Sequence, residues 1–170
     1  MFTLASVPSS EAGELLTRWT VRVAFVLYLA ALAARLLKPS RWVTARVLWT
    51  AGAFAFLIHV ACAFGFYHHW SHAEAFEATA LRTAEVAGTA WGGGLYANYA
   101  FALVWIADAS WWWRGLEIYR RRSRWLDWTV QFFMAFMFFN ATVVFGQGAI
   151  RWMAVAGGLL LWLLWLRRRN

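Results

Sequence analysis

The sequence predicts an all-α integral membrane protein: a bundle of about five transmembrane helices, N-terminus outside and C-terminus cytoplasmic, with a partly helical outer loop between spans two and three. Three observations carry this. Of 170 residues, 62% are hydrophobic and 14% charged, well outside ordinary globular usage, so lipid is the natural solvent for most of the surface. Apolar runs near spanning length recur along the chain, and a helix needs roughly 20 such residues to cross about 30 Å of hydrocarbon. The basic residues behind the formal charge of +8 fall in short clusters between those runs rather than on one face, which orients a chain in a bilayer and gives no footprint for nucleic acid.

The spans lie at about 19–37, 47–67, 94–113, 128–147 and 150–166, within a single transmembrane domain covering residues 1–170. Span one is the weakest, because Arg22 and Arg35 bracket its apolar stretch and must snorkel toward opposite interfaces. Its "VAFVLYLAALAAR" also has the form of a signal peptide. Loop charge decides against cleavage. Arg35, Lys38, Arg41 and Arg46 follow span one, Arg114, Arg120, Arg121, Arg122 and Arg124 follow span three, and Arg167, Arg168 and Arg169 follow span five. All three clusters fall on the cytoplasmic side only if five helices are threaded with the N-terminus outside.

The tail before Trp19, the segment 68–93 and the "GQGAIR" turn then lie outside. Trp42, Trp49, Trp111, Trp112, Trp113, Trp125 and Trp128 mark the cytoplasmic boundary, and Trp19, Trp70, Trp91 and Trp152 the outer one, as amphipathic rings do at headgroup depth. In the outer loop, helix-forming composition runs as far as Gly88. Span two therefore either continues into an outer helix or turns at about Gly65 to lie along the surface.

Three of the four histidines, His68, His69 and His72, stand in "HHWSH" just outside span two. On a continuous helix His68 and His72 would be one turn apart and could share a transition metal, with His69 as ligand or supporting donor. Neither Glu74 nor Glu77 completes that site from the same helix. The alternative is a polar collar at headgroup depth, which composition favours. His59 lies near the middle of span two, where an ionisable group usually faces the bundle interior. Its expected neighbours are Asn140, Asn98 and Tyr99, and its two readings are a helix-to-helix hydrogen bond or, secondarily, a ligand to haem b. Asp108, near the cytoplasmic end of span three, is expected to pair with Arg35, Arg46 or Arg114.

The single cysteine, Cys62, excludes an intramolecular disulfide and a cysteine-rich metal motif. "HHWSH" is similar to the histidine boxes of membrane desaturases and alkane hydroxylases, but those families need about twice as many histidines, on the cytoplasmic side. No rhomboid-type serine and no His-Glu-x-x-His run is present. With no complete catalytic constellation, whether the chain is an enzyme stays open. The expectation is a multi-pass inner-membrane subunit or scaffold, partnered by lipid and by other membrane subunits or copies of itself. The alternative is a metal- or haem-binding protein in redox or metal handling.

Overall fold

The computed structural model describes residues 11–37, 39–146 and 148–169, all in helices and short connections with no strand among them. The tail before Glu11, Lys38 and Gln147, to which the topology reading assigns sides, lie outside the described residues. The helices are α1 (Glu11–Leu37), α2 (Trp42–Tyr67), α3 (His72–Ala87), α4 (Gly94–Trp113), α5 (Leu116–Arg120), α6 (Arg124–Phe139) and α7 (Ala149–Arg169). A 3₁₀ turn, Pro39–Arg41, joins α1 to α2, and α6 runs on as a π-helical segment, Asn140–Val144.

Among the described residues three segments are long and apolar enough to cross a membrane: α1, α2 and Ile150–Arg167 of α7. The count of five rests on α4 and α6 as well. Helix α4 has the predicted bounds and 20 residues, is rich in Trp and Tyr, and is not among those three. Helix α6 has only 16 regular residues before the ladder widens, marked by the Phe145 N–H donating to the Asn140 carbonyl at 2.9 Å.

Helices α1 and α2 form an antiparallel hairpin that can be followed rung by rung. Arg35 lies over Trp42, Tyr28 meets Trp49, His59 reaches Thr17 and Phe66 covers Gly13. Small residues make the approach possible. Ala24, Ala31, Ala34, Ala45 and Ala53 are buried along the seam, and a Cβ on Gly13 would sit 2.7 Å from the Phe66 ring.

Helices α4 and α6 close the bundle. The buried positions of α4, Phe101, Trp105, Asp108 and Trp112, recur at intervals of four, three and four, which is one helical face. They meet Phe56 and Trp49 of α2 and Phe138 of α6, and Phe138 also lies 4.5 Å from Tyr28. The resulting core is aromatic, with ring centroids mostly 4.5–6.4 Å apart and tilted or edge-on, as quadrupoles favour. Gly52 belongs to this core, since a Cβ there would come within 2.8 Å of Trp105. In sequence order α1, α2, α4 and α6 alternate in direction. Helix α7 packs on α1, with Gly157 against Leu29, and on the π-helical segment, and leaves much of its circumference exposed.

Candidate functional site

Polar chemistry gathers at the two ends of this bundle. At the end holding the histidines, α2 stops at Tyr67 and the chain turns through His69 and Trp70, whose φ angles are 46° and 59°. The Trp70 N–H donates to the Phe64 carbonyl at 2.9 Å, and the Ser71 N–H to the His68 carbonyl at 2.6 Å. Ser71 then caps α3, its hydroxyl accepting the Glu74 N–H at 3.3 Å, and Gly88 closes α3 in the left-handed conformation at φ 74°. Of the two courses open to this segment, the chain takes the turn, slightly beyond Gly65.

That turn separates the histidines expected to act as a pair. His68 closes α2 with its ring beside Phe64, and His72 opens α3. They are not one turn apart on a common helix. His69 Nδ1 lies 3.0 Å from Glu74 Oε2, and His72 Nδ1 lies 3.0 Å from the Tyr99 hydroxyl, with the Tyr96 and Phe76 rings alongside. Partial burial lowers the His68 pKa below its usual value; Glu74 opposes this and His69 adds to it. Among the described residues no group of three or more His, Cys, Asp or Glu side chains could hold a metal ion.

His59 finds a different partner from those expected. Its Nδ1 lies 2.9 Å from the Thr17 carbonyl of α1, so Nδ1 carries the proton and donates, and Nε2 keeps its lone pair. Asn140 donates to the Phe136 carbonyl at 2.8 Å within its own helix, Asn98 is exposed, and Tyr99 belongs to His72. The physical reason is register. The small-residue seam brings α1 closer to α2 than α4 or α6 comes at this depth, and a backbone carbonyl is always at hand.

At the opposite end Asp108 is buried in α4 and bonded to the connection that follows. Tyr119 donates to its Oδ2 at 2.8 Å, and Arg122 pairs with its Oδ1. Arg122 bridges onward to Asp127 at the start of α6, and Arg35 of α1 meets both Asp127 oxygens at 3.0 Å. Asp108 is thus answered by Arg122, not by Arg35, Arg46 or Arg114. Arg35 is taken by Asp127, and Arg46 stacks on Trp113 at 4.1 Å.

The side chains of Asp108 and Arg122 are each only 3% exposed. Burial raises the Tyr119 pKa further above its usual range, as does the Asp108 charge, so the phenol stays a hydrogen-bond donor. Burial alone would raise the Asp127 pKa, but Arg35 and Arg122 outweigh it and hold the carboxyl below its ordinary value. The network welds α1, α4, α5 and α6 at one end. Asp127 is the residue that sequence reasoning passed over. Its signal was available, as the lone acid in "RRRSRWLDW" and inside the first turn of a helix capped by Ser123.

No protein family, curated protein or solved structure matches this chain. The functional reading therefore rests on the bundle and its two polar ends.

Proposed function

We propose that the chain is a five-span, N-out, C-in protein of a cell's inner membrane that serves as a non-catalytic subunit or scaffold in a larger membrane assembly. The observation that carries this reading is α7. None of its spanning window is buried within the chain, and Trp152, Val155, Leu159, Leu160, Trp162 and Leu163 are all exposed. A helix that is apolar around its circumference and covered along one line has the rest of its surface for lipid or for another helix. The core among α1, α2, α4 and α6 is filled by interlocking rings. The test is cysteine crosslinking in native membranes, with Leu160→Cys or Leu163→Cys on a Cys62→Ser background. Crosslinked species containing a second chain are expected, and an uncrosslinked monomer at both positions would overturn the reading.

A second reading, metal or haem binding for redox or metal handling, draws support from His59. The hydrogen bond at Nδ1 leaves Nε2 free to ligate, the form in which imidazole binds transition metals and haem iron. Further ligands would come from another chain, as could also hold for His68, His69 and His72. A Soret band or stoichiometric metal in the purified assembly, lost in His59→Ala, is the expected signature; neither in the unmodified protein would sink this reading.

A further inference from the structure

Beside the Asp108 network lies a small cavity of about 90 Å³, lined by Arg35, Arg120, Arg122 and Arg124 with Trp42, Tyr119 and Asp127. We propose that it binds a phosphate oxyanion, in the form of an anionic phospholipid headgroup or of free phosphate.

Charge accounting is the first support. Arg35 and Arg122 are balanced by Asp108 and Asp127, the two acids they contact. Among the described residues Arg120 has as its acid only Glu117 at 3.7 Å, and Arg121 draws on the same carboxylate at 4.0 Å. Arg124 makes no ion pair among the described residues. Four lining arginines are thus answered by Asp108, Asp127 and Glu117, and the cluster keeps an excess of positive charge that falls on Arg124.

Geometry adds to this. Trp42 makes cation–π contacts with two of the lining guanidinium groups, Arg35 at 5.2 Å and Arg120 at 5.4 Å from its ring centroid, so one indole helps to position both. Arg35 also has a buried nitrogen, Nη1, without a hydrogen-bond partner, so this guanidinium is short of acceptors. Arg forks match phosphate oxygens in pairs, which a lysine cluster would not do.

Size and depth select the class of ligand. Drug-sized ligands occupy roughly 300–1,000 Å³, so this cavity takes a group rather than a whole small molecule. Its rim is formed by exposed Arg120 and Arg124, and Trp125, 84% exposed, and Trp128 stand at the adjoining start of α6. The proposed five-span reading, on which this inference rests, puts those rings at headgroup depth, where basic pockets among spanning helices meet lipid phosphates.

The test uses the full chain in a nonionic detergent, following thermal unfolding against added phosphatidylglycerol, phosphatidylcholine or inorganic phosphate. The variants are Arg120→Gln/Arg124→Gln, at two exposed positions outside the Asp108 network, and Arg121→Gln, which does not line the cavity. Saturable stabilisation by phosphatidylglycerol beyond that by phosphatidylcholine is expected, with its midpoint moved at least tenfold in the double variant and unmoved in Arg121→Gln. If inorganic phosphate gives the same saturable shift and competes, the anion is free phosphate; if only the lipid acts, it is a headgroup. No saturable shift with either, or an equal loss in Arg121→Gln, would overturn the site.

Discussion

Asp108 and Arg122 are separated by fourteen residues and buried to the same depth, and each makes the other's burial tolerable. An unpaired charge in that position would lose hydration without recovering it, so removing one partner costs more than the pair contributes. Asp108→Asn should destabilise the detergent-solubilised protein by about 3 kcal/mol, and pairing it with Arg122→Gln should cost less than the sum of the single changes. Thermal or denaturant unfolding of the three variants measures this. Asp127 makes a pH prediction. Its carboxyl pKa is lower in the folded chain than the ordinary 3.8, so its contribution is fully present above that value and is lost as pH falls through the folded one. Stability should fall with acidification below about pH 4, more steeply in the parent than in Asp127→Asn. The need of Asp108 for a cation was legible in the sequence, but the identity of that cation was not. Five arginines follow α4 within eleven residues, and only the fold of α5 decides which of them returns to Asp108.

Among the elements, the turn between α2 and α3 has the largest bearing on function. His69 and Trp70 both adopt left-handed backbone, which costs a residue other than glycine about 1–2 kcal/mol, and the Ser71 cap with its following hydrogen bonds holds the turn in place. Ser71→Ala should weaken α3 by about 1 kcal/mol, read as faster amide exchange in its first turn. The same corner responds to pH through His68. Its folded pKa is below the usual value, so its neutral form is favoured, and stability supplied there is present above about pH 6.5 and lost as pH falls. His68→Gln should flatten that dependence in exchange measurements on the turn. Helical extents were readable from apolar runs and caps: α4 has its predicted bounds, and α1 and α2 end where expected. The turn was harder to read. "HHWSHAEAF" contains neither glycine nor proline at the turn, and a serine in mid-run reads as a helix interruption only when its hydroxyl is seen to cap.

For the whole molecule, alternation of direction places the two polar ends at opposite ends of the bundle. The histidine turn, Arg82 and the end of the π-helical segment share one end, where Arg82 donates to the Phe145 carbonyl at 3.2 Å. The arginine network, Trp42 and the start of α6 share the other. The proposed five-span reading has α4 and α6 cross together with α1 and α2, onto which the aromatic core packs them. In the proposed reading positive charge sets the direction, because Arg35, Arg41, Arg46 and the arginines from 114 to 124 all lie at the network end. Reporter fusions after Gly88 and after Arg122 should give opposite locations, the first outside and the second in the cytoplasm. Both reporting the cytoplasm would mean that α4 does not cross. The aromatic core would then face water along one side, and Gly52→Leu, which drives a side chain into Trp105, should still cost the roughly 1–3 kcal/mol of overpacking while leaving the fusion pattern unchanged.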